Sequence, residues 1–125
     1  MAIKAIFLDI DGTLVRFNEK RMNERTLAAL EAARERGVSL FIVTGRYKDG
    51  IGVDAMFDFD GYSTANGEYC FMTDGEVIHM SPMDPGDVHA FASACEARGL
   101  AVTFTEPDDI YFCGSEAELE KSSRY

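Results

Sequence analysis

Two aspartates two residues apart, Asp9 and Asp11, stand where an apolar run gives out in FLDIDGTL, residues 7–14. Carboxylates this close repel each other and are costly to bury, so such a pair calls for a cation, a shared proton or solvent. A hard divalent ion such as Mg²⁺ answers that need. With it, one aspartate stays ionised as a nucleophile while the other carries a proton to a leaving oxygen. Taken alone, D-x-D-G more often marks a solvated strand-to-loop junction, since Asp and Gly are ordinary turn residues. A second set of groups occurs at Thr44, Gly45 and Arg46. A hydroxyl, a flexible backbone and a guanidinium are groups that bind phosphate. T-G-R by itself is also a common strand-to-turn sequence, and Asn66-Gly67 a common turn pair.

The elements around these residues must bring them together. Ile3, Ala5, Ile6, Phe7 and Leu8, broken by Lys4, predict a strand over residues 3–9 that is buried on both faces, as in parallel sheets. Gly12 lets the chain turn at its carboxyl end, and the polar stretch VRFNEKRM, residues 15–22, reads as a loop over that end. Asn23 can cap a helix in which Leu27, Leu30 and Ala33 share a face and which Gly37 ends. VSLFIVT, residues 38–44, is the next strand, so residues 3–44 form a strand, helix, strand unit with a right-handed crossover expected. Such units place ligands at the carboxyl ends of the strands, which is where Asp9, Asp11 and Thr44 would meet.

Gly50, Gly52 and several aspartates make residues 47–60 a loop with about one turn. A strand over residues 61–65 and a hairpin turning at Asp74-Gly75 follow. Asp84 caps a second helix, with Pro85 in its first turn, Asp87 near its positive end, an apolar stripe of Val88, Phe91, Ala92 and Cys95, and Gly99 closing it. Residues 100–105 and 110–113 read as two strands joined by E-P-D-D. Ser115 and Glu118 form a capping box for a final helix, with Glu116 and Glu120 on its solvated start. His79 and His89 lack metal-ligand spacing and read as structural or solvated.

A chain of 125 residues predicts one domain that buries roughly two thirds of its unfolded surface. A net charge of −10 and a pI near 4.5 argue against nucleic acid or an anionic membrane as partner. The same charge repels phosphate esters, so a phosphate would need local positive charge from a metal or from Lys and Arg. Cys70, Cys95 and Cys113 lack C-x-x-C spacing, which predicts free thiols and a cytoplasmic location. No signal-like segment or apolar run of membrane-spanning length occurs in the sequence.

FLDIDGTL resembles the first motif of the haloacid dehalogenase-like (HAD) hydrolase superfamily, and the strand ending in T-G-R resembles the second. The strand, N-G pair and hairpin that follow are similar to the Cof-type branch. The resemblance implies an α/β fold, namely the N-terminal half of a Rossmann-like core with a parallel sheet over residues 1–82. Residues 83–125 would open an α+β cap of the C2 type. It further implies that Asp9 attacks phosphorus to form an aspartyl-phosphate and that Asp11 is the acid/base. Mg²⁺ would be held by the Asp9 side chain and the Asp11 carbonyl. Gly12, Thr13, Thr44, Gly45, Arg46 and Asn66 would bind phosphate and substrate, with Thr44 on the transferring phosphoryl group and Arg46 on the substrate. The implied activity is Mg²⁺-dependent hydrolysis of a small phosphorylated metabolite such as a sugar phosphate.

Two parts of the family pattern, a late lysine and an acidic G-D-x-x-x-D motif that completes the Mg²⁺ site, have no counterpart after Cys113; Lys121 follows an acidic segment rather than an apolar strand. The chain is therefore expected to be cut off, to bind Mg²⁺ weakly and to hydrolyse an aryl phosphate poorly or not at all. Self-association or a partner chain would cover the sheet edge left open. A competing reading is a catalytically incomplete fragment that binds phosphate or a protein partner. A response-regulator-like receiver ranks below both, because receivers carry their phosphorylated Asp on a later strand.

Overall fold

The computed structural model describes residues 3–53, 55–115 and 117, so Glu118 of the predicted capping box and the segment after it lie outside the described residues. The chain divides into two compact units, Met1–Ser81 and Pro82–Tyr125. In the first unit, β1 (Ala5–Leu8), β2 (Ser39–Val43), β3 (Gly61–Thr64), β4 (Tyr69–Met72) and β5 (Val77–Met80) form one sheet in that order. β1, β2 and β3 run parallel, Leu8 pairing with Ile42 and Val43 with Ser63; β4 and β5 return antiparallel.

Helix α1 (Glu24–Glu35) makes the crossover from β1 to β2. The Thr26 amide donates to the Asn23 side chain at 2.9 Å, which satisfies one of the free amides of the first turn. Its other end closes where the Gly37 amide donates to the Arg34 carbonyl and the Val38 amide to that of Ala33. Leu27, Leu30 and Ala33 face a core that includes Ile10, Leu14, Val15, Leu40 and Ile42.

The expectation that β1 is buried on both faces is not met. Ile6 and Leu8 pack on the core, but Phe7 is 66% exposed and rests on the ring of Phe41, centroids 5.0 Å apart. β1 is the edge strand of the sheet, and among the described residues no element covers the face that carries Phe7. An apolar run records that both sets of side chains avoid water, not that a cover for each is present.

Residues 47–60 form a loop with one 3₁₀ turn at Lys48–Gly50, yet Ile51, Val53 and Phe59 are almost completely buried. The loop is stitched to its neighbours by polar groups. The Asp60 carboxylate accepts from the Leu40 amide at 2.7 Å and pairs with Arg34 at 3.6 Å. Arg34 also donates to the Asp58 carbonyl and lies over the Phe57 ring.

The second unit holds α2 (Pro85–Glu96) and a two-stranded antiparallel sheet of β6 (Val102–Thr105) and β7 (Ile110–Cys113). Asp84 caps α2 by accepting from the Gly86 amide at 2.7 Å, with Pro85 in the first turn. Of the predicted stripe, Cys95 is buried, whereas Phe91 is 52% exposed and meets Phe104 edge-on.

Candidate active site

Asp9 directly follows β1 and Thr44 directly follows β2. Because these strands are parallel neighbours in register, both residues stand at the same end of the sheet, about one strand spacing of ~4.8 Å apart along the pairing direction. β3 ends alongside them, and Asn66 lies in the turn that leaves it. The end of β1 therefore brings Asp9 and Asp11 to the same edge as Thr44, Gly45, Arg46 and Asn66.

The turn after β1 is closed by the Ile10 carbonyl, which accepts from the amides of Thr13, Leu14 and Val15, while the Gly12 amide donates to the Val15 carbonyl at 2.8 Å. Gly12 has φ +81°, and a Cβ there would also come within 2.8 Å of the Phe17 ring. Glycine thus satisfies both the backbone and the ring above it. Gly12 and Thr13 sit on the site side of β1, but their amides are occupied within the turn.

Thr44 is nearly buried. Its amide donates to the Ser63 carbonyl, and its hydroxyl oxygen accepts from the Arg46 amide at 3.1 Å, which leaves the hydroxyl hydrogen available to donate. Gly45 has Asn66 directly against it: a Cβ at position 45 would lie 2.9 Å from Asn66 Oδ1. This close approach is held by the Asn66 amide donating to the Thr44 carbonyl and the Ala65 amide donating to that of Arg46. Ala65 (φ 49°) and Asn66 (φ 58°) both adopt the left-handed region, a strained arrangement above all for Ala65, that the Thr44 and Arg46 carbonyls just after β2 sustain. N-G is a recognisable turn signal; the left-handed Ala65 has none.

Arg46 is where the site departs most from the sequence reading. Its Nε and Nη2 donate to the two carboxylate oxygens of Asp11, at 2.8 and 2.5 Å, and its Nη1 donates to the carbonyls of Gly50 and Ile51, at 2.8 and 3.1 Å. The guanidinium expected to face the substrate is engaged by the second aspartate. Gly50 and Ile51 belong to the contact although nothing in their side chains announces it; they act through main-chain oxygens. The hydrogen bonds from Arg46 hold the Asp11 carboxyl below its ordinary range, and Asp11 holds the Arg46 guanidinium above its own.

Among the described residues, no group of three or more His, Cys, Asp or Glu side chains could hold a metal ion. The Asp9 carboxylate and the Asp11 carbonyl are hard oxygen donors of the type Mg²⁺ takes, but two fall short of the roughly six it requires. The donor type fits, and Mg²⁺, which ordinarily keeps several of its waters, would fill the rest of its set with them. Among the same residues, no helix is long and apolar enough to cross a membrane.

The sequence model of the haloacid dehalogenase-like hydrolases matches residues 6–125. HMP-PP phosphatase of Escherichia coli strain K12 is 31% identical over 118 residues, covering 93% of this chain and 42% of its own length. A solved HAD subclass IIB sugar phosphatase is 41% identical, with a TM-score of 0.82 over 94% of this chain and 46% of that one. A phosphatase from Bacteroides thetaiotaomicron, at 24% identity and a TM-score of 0.84, shares the fold. The chain thus spans less than half the length of the relatives it matches.

Proposed function

Since the chain belongs to the haloacid dehalogenase-like hydrolases, we propose that it carries the nucleophile half of a phosphomonoesterase site acting on small sugar phosphates. One observation supports this above others: Asp9 and Asp11 share the carboxyl end of parallel strands with the Thr44 hydroxyl and the Gly45–Asn66 contact. A phosphoryl group at that edge would have an anionic nucleophile on one side and neutral donors around it. Sugar phosphates are favoured because the sugar phosphatase is the more similar of the phosphatases compared, at 41% identity.

In this reading an Asp9 carboxylate oxygen attacks phosphorus, the ester oxygen leaves and takes a proton from the protonated form of Asp11, a form that the hydrogen bonds from Arg46 disfavour, and Asp9 carries the phosphoryl group as an acyl phosphate. Water then attacks phosphorus, Asp11 takes the water's proton, and inorganic phosphate leaves with Asp9 restored. The Thr44 hydroxyl and the Asn66 side-chain NH₂ would hold phosphoryl oxygens in both steps. Residues 1–82 would form the core part of the site and residues 83–125 the start of a substrate-selecting cap. The Asp9 side chain and the Asp11 carbonyl would hold Mg²⁺, which when bound offsets charge on the phosphoryl oxygens.

The test is steady-state phosphate release from an aryl phosphate and a panel of hexose phosphates with Mg²⁺, for this chain and Asp9→Asn. Asp9→Asn should lower any turnover on the order of 10³-fold or more. Turnover unaffected by Asp9→Asn would remove Asp9 from the chemistry. Binding of phosphate without release would make the chain a phosphate-binding module instead. Calorimetry should show weak Mg²⁺ binding that Asp9→Asn abolishes, and tight binding independent of Asp9 would place the ligands elsewhere.

A further inference from the structure

We propose that Arg46 is a positioning residue for Asp11 rather than a ligand of the substrate. The proposal rests on the assignment of Asp11 as acid/base. A guanidinium has five N–H donors, and four of the hydrogen bonds it can make are occupied: two to the Asp11 carboxylate and two to the carbonyls of Gly50 and Ile51. A substrate phosphate seeking the usual two-point grip would have to displace either Asp11 or both anchors. The anchors are firmly built. Ile51 is 2% exposed and Val53 1%, so the segment whose carbonyls hold Nη1 is fastened into the core.

The main chain of Arg46 is tied just as closely. Its amide donates to the Thr44 hydroxyl oxygen and its carbonyl accepts from the Ala65 amide at 2.9 Å. One residue therefore connects the end of β1 through Asp11, the end of β2 through Thr44, the end of β3 through Ala65, and the buried segment at Gly50 and Ile51. With Nη1 fixed to the carbonyls, the planar group has one remaining edge, Nε and Nη2, and that edge faces the two oxygens of Asp11. The arrangement sets both the place and the plane of the Asp11 carboxylate. Lysine could not replace it, because an ammonium is a point charge that reaches the carboxylate or the carbonyls without orienting either.

Nitrogen-15 NMR of the arginine guanidinium groups in the full chain tests this without requiring turnover. The Arg46 Nε–H signal, identified by its loss in Arg46→Lys, should be protected from solvent exchange. In Asp11→Asn it should shift and exchange at least about tenfold faster, as expected when a charge-assisted pair is lost. An Arg46 signal indifferent to Asp11→Asn overturns the proposal. So does a shift of that signal on adding inorganic phosphate with Mg²⁺ that matches the pair's loss in Asp11→Asn. Where the chain turns over an aryl phosphate, Arg46→Lys should lower kcat about tenfold or more with KM within about twofold, and free guanidinium should restore part of the rate of Arg46→Ala. A raised KM with unchanged kcat would make Arg46 a substrate ligand. Absence of turnover in the unsubstituted chain agrees with the missing late lysine and acidic motif, and the NMR result then decides the role of Arg46.

Discussion

Helices α1 and α2 were written with the same local grammar and ended in different surroundings. α1 and α2 are each 12 residues long, each opens on a side-chain cap, Asn23 and Asp84, and each is followed by a left-handed glycine, Gly37 and Gly99. α1 lays Leu27, Leu30 and Ala33 on a shared core, whereas α2 buries Cys95 alone and leaves Phe91 half exposed. Beside α2 in its own unit lies an open groove of about 580 Å³ whose lining includes Ala92, Leu100, Val102 and Cys113. Caps determine where a helix starts and stops, and neighbours determine how much its apolar face is worth.

The largest effect expected from this contrast is on core truncation. Leu40 is fully buried in the first unit, so Leu40→Ala should cost about 2–5 kcal/mol by urea denaturation. Phe91→Ala in the second unit should cost far less, about 1 kcal/mol, because half of that ring already meets water. Equal losses would erase the distinction between the two units. The caps should behave alike instead. Asn23→Ala and Asp84→Ala should each cost about 1 kcal/mol, since each removes one side-chain acceptor from an exposed first turn. A cost confined to Asn23 would mean that capping acts here only where packing follows.

The smallest effect concerns pH. Asp11 is held below its ordinary 3.8 chiefly by hydrogen bonds from Arg46. A carboxyl lowered on folding contributes stability that is fully present above the unfolded value and disappears as pH falls through the folded one. The pair is well exposed, Asp11 at 49% and Arg46 at 33%, so the contribution should be only about 0.2–1 kcal/mol. Thermal melts should therefore show Asp11→Asn converging with the unsubstituted chain below 3.8 and falling slightly behind it above. A difference that widens on acidification would contradict the pairing.

Much of the site was legible because its members sit at strand ends. An apolar run followed by D-x-D-G, and another followed by T-G-R, locate their polar residues by where the run stops, and two parallel strands in register do the rest. The contacts of Arg46 were not legible, because its partners include two carbonyls, and every residue has a carbonyl. Ala65 escaped for a related reason: its left-handed backbone depends on the Arg46 carbonyl receiving its amide, a contact between residues far apart in sequence.

What the sequence determined by itself are matters of short range. Asn23 and Asp84 start helices, Asp74-Gly75 turns a hairpin, and Gly12 lets the chain leave β1 with its carboxylates at the edge, all through groups within a few residues of one another. Tertiary structure alone decided which apolar residues found cover and which polar groups found each other. It buried Ile51, Val53 and Phe59 in a segment that reads as loop, left Phe7 exposed on a strand that reads as interior, and turned Arg46 toward Asp11. Burial and long-range pairing depend on what the chain brings alongside, and hydropathy records only that a side chain benefits from leaving water.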